Sequence, residues 1–352
     1  MSRFFSKKYS ALVPYVPGEQ PKDGSRYVKL NTNESPFPPS EKALAFANGH
    51  ARRYNLYSDP DCTELKEALA DTYGVLKENI TVGNGSDEIL NFAFMAFCDD
   101  EHPAVFADIT YGFYKVFAAV NNLPGTVIPL KEDLSLDVEA FKNAKGTKFI
   151  ANPNAPTGIA LPASVIEDIL KACPDDVVLV DEAYVDFGAE SCVPLIGKYD
   201  NLLVVQTFSK SRSMAGARLG FAVGCAGLIT DLETIRNSIN PYNVNSYTIA
   251  LGTGTLLDAG YTKARCGDII ENRAEYVSTL KDMGFEMTDS LANFIFVKHP
   301  KMPGEEIYHR LKEKGVLVRH FSQDRIEDFN RITIGSMDQL KKLAEALSEI
   351  LK

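Results

Sequence analysis

The sequence predicts an α/β protein with two parts: a large domain, whose mainly parallel sheet is covered by helices on both faces, and a smaller C-terminal α+β domain. Two observations support this prediction. Short apolar and β-branched runs alternate with helical segments through the first two thirds of the 352 residues, as in parallel sheets that are buried on both faces. Beyond about residue 245, a long charged helical stretch leads into a shorter mixture of strands and helices.

The elements of the large domain follow one another in order. The stretch "TELKEALADTY" (63–73) has helical spacing and good helix formers. The stretch "ITVGNGSDEILNFAFMAFC" (80–98) predicts a strand, a glycine-rich turn and an apolar helix, and a further helix is expected at 162–173. Apolar runs predict strands at 104–108, 126–130, 148–152, 177–181 and 202–206.

The C-terminal part begins with a helical region at 262–283, followed by "NFIFV", "EEIYHRLKEKG", "VLVRHF", "RITIG" and a last helix. The segment 14–39 is rich in proline and glycine, which indicates an extended arm. We therefore expect an N-terminal arm over 1–40 that joins the small domain, a large ligand-binding domain over 41–245 and a small domain over 246–352.

Composition and charge narrow the class of partner. The net charge is −10, so the phosphates of a nucleic acid would be repelled, whereas a small anionic substrate needs only a local cationic pocket. No run approaches the roughly 18 apolar residues of a membrane span, and the N-terminal sequence lacks the apolar stretch of a signal peptide. Six cysteines without CxxC pairing are expected to be reduced thiols in the cytoplasm. The histidine spacing matches no metal site.

A carboxylate is placed where a predicted strand ends. Ligand sites of open α/β sheets form at the carboxyl ends of the strands. Asp181 directly follows an apolar run, with Glu182 and Tyr184 behind it. Asp181 could cap the next element, or it could be a buried carboxylate aimed at a cationic ligand nitrogen, and the residues alone leave both interpretations open.

The stretch "GNGSDEIL" (83–90) combines a tight turn with the start of a helix. Ser86 suits the N-cap, and the charges of Asp87 and Glu88 suit the first turn of a helix. The same helix N-terminus, on a glycine turn after a strand, can also hold a phosphate through its backbone N–H groups. The structural and the functional interpretation are compatible.

The stretch "TFSKSRSMAGARLG" (207–220) places Lys210 on a hydroxyl-rich turn after a strand. Such residues could simply keep a surface loop soluble. A lysine that forms a Schiff base must lose its proton, which desolvation or the nearby charge of Arg218 favours. Ser209 with Arg218 could bind a phosphate. Together with Asp181 and the helix N-terminus, these residues describe a site for pyridoxal phosphate.

In this order, each after a predicted strand, the residues resemble those of the fold type I pyridoxal-phosphate aminotransferases. Within that superfamily the chain is similar to the histidinol-phosphate aminotransferases, and the resemblance runs nearly end to end. It rests on "LNTNESPFPPS" (30–40), "YSDPDCTELKEALA" (57–70), "GNGSDEIL" (83–90), "TYGFY" (110–114), "NPNAPTG" (152–158), "DEAYVDF" (181–187), "TFSKSRSMAGARLGF" (207–221), "PYNVNS" (241–246) and "RITIG" (331–335).

The resemblance implies roles in cofactor binding. Lys210 would form the imine with the cofactor aldehyde and later shuttle a proton, Asp181 would pair with the pyridinium nitrogen, and Tyr184 would hydrogen-bond the ring 3′-oxygen. Tyr111 in "TYGFY" would stack on the ring face, although its residue type also suits ordinary core packing. The cofactor phosphate would be surrounded by Ser86, Asp87, Ser209 and Arg218, the first two chiefly through backbone N–H groups. Glu88 is a further cofactor-binding candidate.

The resemblance also implies a homodimer, in which Tyr57 would reach the phosphate of the partner subunit's cofactor. One position departs from the family pattern: the family usually reads "NPNNPTG", and this chain has Ala155 in place of the cofactor asparagine. Either Asn154 takes over that contact through a shifted loop, or Tyr184 makes it alone. The expected loss is modest, on the order of 1 kcal/mol for one hydrogen bond.

Two arginines are the candidates for substrate binding. Arg331 in "RITIG" matches the family arginine that binds the anionic group of the amino donor, and Arg319 in "VLVRHF" matches a second such position. A guanidinium suits a carboxylate or a phosphate, although residue type alone also fits strand-edge surface arginines. Tyr15, in the N-terminal arm, matches a family tyrosine near the substrate phosphate.

The implied reaction interconverts L-histidinol phosphate plus 2-oxoglutarate and imidazole-acetol phosphate plus glutamate, a step of histidine biosynthesis. Two alternatives use the same scaffold, a threonine-phosphate decarboxylase and an aromatic amino-acid aminotransferase. A transcriptional regulator with an aminotransferase-like domain is a third possibility, which the acidic charge of the chain disfavours.

Overall fold

The computed structural model describes residues 2–21, 27–50 and 54–352. Residues 22–26 of the predicted arm and 51–53 of the predicted large domain lie outside the described residues. The strands, in chain order, are β1 (Val28–Lys29), β2 (Ile80–Gly83), β3 (Ala104–Ala107), β4 (Gly125–Ile128), β5 (Thr147–Ala151), β6 (Val178–Asp181), β7 (Leu202–Thr207), β8 (Gly220–Gly224), β9 (Glu286–Met287), β10 (Phe294–Lys298), β11 (Val316–Leu317), β12 (Arg319–His320) and β13 (Asn330–Thr333). The helices are α1 (Glu41–His50), α2 (Thr63–Tyr73), α3 (Ser86–Phe97), α4 (Phe113–Asn121), α5 (Val138–Asn143), α6 (Ala163–Ala172), α7 (Ala226–Ile239), α8 (Ser246–Leu257), α9 (Ala259–Asp282), α10 (Gly304–Glu313) and α11 (Met337–Ile350).

The large unit is built on a seven-stranded sheet in the order β2-β8-β7-β6-β5-β3-β4. Strand β8 is antiparallel to both of its neighbours, and the other neighbouring strands are parallel. Val178 and Val180 of β6 pack in one hydrophobic cluster, whereas Leu179 packs in another. Because side chains alternate along a strand, the sheet has a core on each face. The predicted mainly parallel sheet, covered on both faces, is confirmed.

The carboxyl ends of β6 and β7 position the site. Asp181, the last residue of β6, lies opposite Val205 of the parallel neighbour β7. Strand β7 ends at Thr207, shortly before Lys210. Since parallel strands end at the same edge of a sheet, the turns after them bring Lys210 and Tyr184 to the edge where Asp181 lies.

The C-terminal unit contains a four-stranded antiparallel sheet in the order β12-β13-β10-β9. Residues of this sheet share a hydrophobic core with α9, α10 and α11. Strand β1 of the N-terminal arm pairs in parallel with β11, with Val28 opposite Val316, so the arm attaches to this unit. The predicted smaller α+β part is confirmed.

Helix α8 lies just beyond the expected domain boundary at 245, yet it packs with the large unit. Its Ile249 and Leu251 belong to a core cluster of that unit. A Cβ at Gly254 would lie 3.0 Å from Ala43 Cα, so α8 and α1 are in close contact. Residues of α9 pack in the core of the C-terminal unit instead. The chain therefore passes from the core of the large unit to the core of the C-terminal unit between α8 and α9.

Within the described residues, no helix combines the length and the apolar character needed to cross a membrane.

Candidate active site

Two adjoining cavities lie at the carboxyl edge of the seven-stranded sheet. The smaller cavity has a volume of about 160 Å³ and is lined by residues that come after β6 and β7 and by the start of α3. The larger cavity, of about 720 Å³, lies between the large unit, the N-terminal arm and strands β12 and β13. The two cavities meet at Tyr111, Ala155, Tyr184 and Lys210, which line both.

Lys210 stands at this junction, and its Nζ donates a hydrogen bond to the Thr32 carbonyl oxygen at 3.1 Å. Burial lowers the pKa of Lys210 to about 8, and the positive charges of Arg331 and Arg218 act in the same direction, against nearby carboxylates. A lysine with this pKa is partly uncharged near neutral pH, so its amine can act as a nucleophile or carry a proton.

Asp181 lines the smaller cavity and is 5% exposed. The Tyr114 hydroxyl donates to Asp181 Oδ2 at 3.0 Å, and the Ala183 backbone N–H donates to Oδ1 at 3.2 Å. Burial nevertheless raises the pKa of Asp181 to about 6, and no cation of the described residues forms a salt bridge with it. A cationic ligand nitrogen in the cavity would compensate its charge. Sequence reasoning missed Tyr114, because a buried aromatic residue is typical of any core.

The far end of the smaller cavity depends on glycine. Strands β2 and β8 pair with Gly83 opposite Gly220. A Cβ at Gly220 would lie 2.4 Å from the Ser86 backbone nitrogen, and a Cβ at Gly85 would lie 2.6 Å from an Arg218 guanidinium nitrogen. Gly220 therefore lets β8 approach the first turn of α3, and Gly85 lets the Arg218 guanidinium approach the turn before α3. The first backbone N–H groups of a helix have no intrahelical acceptor, so this end of the cavity suits a phosphate.

Arg218 has a left-handed backbone, with φ at 53°. Its guanidinium donates to Ser209 Oγ at 3.3 Å and to Asp87 Oδ2 at 3.2 Å. A left-handed φ is costly for a side-chain-bearing residue and is retained mostly at functional turns. The structure thus brings four of the predicted phosphate-binding residues to one cavity: Ser86, Asp87, Ser209 and Arg218.

Tyr111 forms part of the wall between the cavities. Its hydroxyl donates to Asp87 Oδ1 at 2.6 Å, and its ring makes an edge contact with Tyr114, with centroids 5.7 Å apart. Burial raises the pKa of Tyr111 well above its usual value, so it remains a donor. Both ends of the ring are therefore fixed, as is needed for stacking against a planar ligand.

The turns that carry Tyr184 and Lys210 are tied together by Arg212. Its guanidinium donates to Asp186 Oδ2 at 3.1 Å and to the Tyr73 hydroxyl at 2.7 Å. Arg212 is 8% exposed, so this charge-assisted network lies in the interior, where it restricts both turns.

The side chain of Asn154 does not point to the ring contact that could compensate for Ala155. Its Nδ2 donates to the Ile109 carbonyl oxygen at 3.0 Å and to Thr157 Oγ1 at 3.1 Å, and its Oδ1 accepts from Thr110 Oγ1 at 2.8 Å. Both amide hydrogens are used within the protein. Its side chain braces the loop behind Ala155 and leaves no donor for a ligand ring.

Glu88 also differs from its expected place. Its Oε2 accepts from the Asn84 backbone N–H and from Asn243 Nδ2, both at 2.6 Å. The Glu88 carboxylate thus caps the glycine turn from behind, and Glu88 lines neither cavity. Of the three predicted acidic or hydroxyl residues at the start of α3, only Ser86 and Asp87 line the cavity.

Arg319 and Arg331 line the larger cavity and lie directly opposite each other on β12 and β13. Arg331 donates to the Asn31 carbonyl oxygen at 3.4 Å, and its buried Nε has no partner among the described residues. Arg319 donates to the carbonyl oxygens of Val16 and Pro17 at 3.3 and 3.5 Å. Like charges opposite each other repel, so an anionic ligand is expected between or beside them.

The two remaining predicted tyrosines lie in different surroundings. Tyr15 lines the larger cavity, with its ring stacked on Phe113 at a centroid distance of 4.2 Å. Tyr57 is 82% exposed and stacks on Tyr242 at 4.4 Å, away from both cavities of its own chain. The first position agrees with a substrate contact, and the second leaves Tyr57 free to meet another molecule.

The geometry brings four groups to one site: the Lys210 amine, the buried Asp181 carboxylate, and the guanidinium groups of Arg218 and Arg331. Among residues 2–21, 27–50 and 54–352, no cluster of histidine, cysteine, aspartate or glutamate could hold a metal ion.

Fold and site together define an aminotransferase. The profile of the family "Aminotransferase class I and II" matches residues 25–347, and the chain belongs to this family. It is 48% identical to the histidinol-phosphate aminotransferase of Marinomonas sp. (strain MWYL1), over 99% of this chain and 100% of that protein. It is 46% identical to the histidinol-phosphate aminotransferase of Brachyspira hyodysenteriae, over 100% of both chains. The crystal structure of histidinol-phosphate aminotransferase from Sinorhizobium meliloti, in complex with pyridoxal-5′-phosphate, matches with a TM-score of 0.84 at 25% identity, over 92% of this chain and 90% of that one.

Proposed function

We propose that this chain is a pyridoxal-phosphate-dependent aminotransferase that interconverts L-histidinol phosphate plus 2-oxoglutarate and imidazole-acetol phosphate plus glutamate. The observation that carries the proposal is the position of Lys210 at the junction of the two cavities. The smaller cavity has an end suited to a phosphate, and the larger one contains two arginines that have no carboxylate partner among the described residues. Full-length relatives at 48% and 46% identity bear the name of this activity.

The smaller cavity fits the cofactor on features of this chain. Because Gly85 and Gly220 have no Cβ, the Arg218 guanidinium and the start of α3 can take up positions at the end of the cavity that suits a phosphate. Asp181 is a buried carboxylate without a cationic partner in the described chain, as a ring nitrogen requires. Pyridoxal phosphate, when bound, supplies the aldehyde that takes up the amino group and the ring that acts as an electron sink.

The protein's own groups bind the substrate and move the proton. Lys210 takes a proton from the α-carbon of the amino donor at its Nζ and returns it later, which requires the uncharged amine. Asp181 supplies a negative charge to the smaller cavity, which it lines. Tyr111 and Tyr184 line both cavities, so each can contact the ligand there, Tyr111 through its ring and Tyr184 through its hydroxyl.

The arginine pair explains how one site takes two kinds of substrate. Histidinol phosphate carries a phosphate ester, and glutamate and 2-oxoglutarate carry carboxylates. Arg319 and Arg331 offer guanidinium groups that suit either anion. The two substrates are expected to use this pair in turn, in a ping-pong cycle.

The discriminating experiment is a comparison of kcat/KM for four amino donors: L-histidinol phosphate, L-histidinol, O-phospho-L-threonine and L-phenylalanine. We expect histidinol phosphate to exceed the next donor by at least about 100-fold, because the arginine pair binds its phosphate dianion. Phenylalanine in first place would instead establish an aromatic amino-acid aminotransferase. Release of carbon dioxide from phosphothreonine would establish a decarboxylase.

The proposal includes a homodimer in the cytoplasm. Four large side chains are exposed near one another, because three are close in sequence and the fourth stacks on one of them: Tyr54, Leu56, Tyr57 and Tyr242. An exposed apolar surface of this kind supports a protein partner. In the dimer, Tyr57 would reach the partner's cofactor phosphate. All six cysteines are free, which supports a reducing compartment.

A further inference from the structure

We propose that Asn33 is a positioning residue for Tyr184, and that it makes up for the amide missing at Ala155 by turning the Tyr184 hydroxyl hydrogen toward the cofactor cavity. This inference rests on the proposed use of pyridoxal phosphate. It gives a role to Asn33, to which the family resemblance assigned none.

The hydrogen bond that suggests this role runs from Asn33 Nδ2 to the Tyr184 hydroxyl oxygen at 2.9 Å. Thr333 fixes which end of the amide faces Tyr184. Its Oγ1 accepts from the Asn33 backbone N–H at 2.9 Å, and its own hydrogen is donated to Asn33 Oδ1 at 3.2 Å. With Oδ1 engaged by Thr333, the NH₂ group faces Tyr184, and an NH₂ group only donates. The tyrosine oxygen is therefore an acceptor in this contact.

The hydroxyl hydrogen of Tyr184 is left for another acceptor. Within the part of the chain that the structure describes, no protein atom takes it. Tyr184 and Ala155 line the same two cavities, and the tyrosine ring is held by an edge contact with Phe294 at 5.0 Å and 89°. A ligand atom in the cavity can take this hydrogen, whereas Ala155 has no side-chain donor to offer.

Asn33 is itself rigidly held. It is 1% exposed, and its backbone is left-handed with φ at 55°, a conformation that asparagine tolerates better than most residues. Asn293 Nδ2 donates to the Asn33 carbonyl oxygen at 3.0 Å. The preceding residue, Thr32, accepts from Lys210 Nζ. This segment therefore orients both the tyrosine and the lysine from the side of the C-terminal unit.

The surroundings of Tyr184 keep its hydroxyl protonated. Burial raises the pKa of Tyr184, and the charges of Asp181 and Asp87 act in the same direction, while Arg331 and the Asn33 hydrogen bond lower it. The hydroxyl therefore keeps the hydrogen that it can donate. Accepting a hydrogen bond polarises a hydroxyl, so Asn33 strengthens the bond that Tyr184 donates.

The test is an absorbance titration of the cofactor chromophore on Lys210, in wild type and in Asn33→Gly. Glycine keeps the left-handed backbone and removes only the amide. A donor to the ring oxygen disfavours the proton on the nitrogen beside it, so losing that donor raises the chromophore pKa. We expect a rise of about 0.5–1 unit, the shift equivalent to one hydrogen bond. The control is Asn31→Ala, which removes a neighbouring amide that donates to the Glu19 carbonyl oxygen and not to Tyr184. This variant should leave the chromophore pKa unchanged.

Two further variants separate positioning from a general structural effect. In a Tyr184→Phe background, Asn33→Gly should shift the pKa no further, since there is no hydroxyl left to orient. Adding Ala155→Asn to Asn33→Gly should move the pKa back toward the wild-type value. If Asn33→Gly does not fold, Thr333→Val removes the contact that orients the amide, and the same rise is expected.

An unchanged pKa in a folded Asn33→Gly protein would overturn the proposal. An equal shift with and without the Tyr184 hydroxyl would overturn it as well. A wild-type protein that forms no chromophore with pyridoxal phosphate would contradict the proposed function instead, so the two failures are distinguishable.

Discussion

Arg319 and Arg331 lie directly opposite each other on neighbouring antiparallel strands, and neither forms a salt bridge with a carboxylate in the described part of the chain. Opposed like charges weaken a sheet, and the buried Nε of Arg331 lacks a partner there as well. Both disadvantages disappear when an anion binds. The pair is thus suited to an anion, and we propose that it binds the anionic group of a substrate in the larger cavity, which Lys210 also lines.

Replacing Arg331 with glutamine should lower kcat/KM for histidinol phosphate by about 100-fold or more, equivalent to roughly 3 kcal/mol for a charge-assisted contact. The chromophore of the unliganded enzyme should still form. The matched control is Arg310→Gln, since Arg310 is exposed and pairs with Glu306 on the surface of α10. Equal losses in both variants would show that the effect is not one of substrate binding.

Lys210 should react with pyridoxal phosphate through its uncharged amine. Its pKa is lowered to about 8 from the usual 10.5, so the binding rate of the cofactor-free protein should rise with pH and level off above about pH 8. Stopped-flow absorbance over pH 6–10 measures the midpoint. A rate that continues to rise to pH 10 would mean that the cavity does not desolvate the lysine. Lys210→Ala should show no lysine-bound chromophore at any pH.

Asp181→Asn should have opposite effects on the free and the loaded protein. The folded state raises the pKa of Asp181 from 3.8 to about 6, so its contribution to stability is favourable at low pH and is lost as the pH rises through 6. At pH 8 the cofactor-free variant should be more stable by about 1–3 kcal/mol, while its affinity for pyridoxal phosphate should fall. Chemical denaturation at pH 4 and pH 8 checks the sign. Glu132→Gln, an exposed position on a surface turn, is the control.

Tyr57 should act across the subunit interface. Tyr57→Phe and Lys210→Ala are each expected to reduce activity, the second to background. Mixed and refolded together, they should form hybrid dimers in which one site has both an intact Lys210 and the partner's intact tyrosine. Activity above the sum of the two separate variants would establish the shared site. No gain, in a mixture shown to contain hybrids, would contradict it.

The sequence predicted the residues whose position depends on the strand pattern. Asp181 ends one buried strand and Lys210 comes shortly after another, and parallel strands bring the residues at their carboxyl ends to one edge of the sheet. Ser86 was predicted from its N-cap position on a glycine turn, and Arg218 from its charge near Lys210. The close approach that the neighbouring glycines allow became visible only in the folded structure.

The remaining contacts depend on distances that no local pattern contains. Asn33 and Tyr184 are far apart in the chain, and their hydrogen bond requires the C-terminal unit to hold the arm in place. Asn154 and Glu88 were predicted from their position in motifs, but a motif does not determine the direction of a side chain. In both residues the polar group is engaged by neighbouring loops, a fact that depends on the folded turn.

The central claim is an amino-transfer cycle at Lys210, and an absorbance spectrum of the purified protein tests it most directly. With pyridoxal phosphate bound, we expect a band near ~420 nm, its replacement by a band near ~330 nm on adding L-histidinol phosphate, and its return on adding 2-oxoglutarate. A ~420 nm band that does not respond to histidinol phosphate would contradict the substrate, and the absence of any band would contradict the cofactor and the activity together.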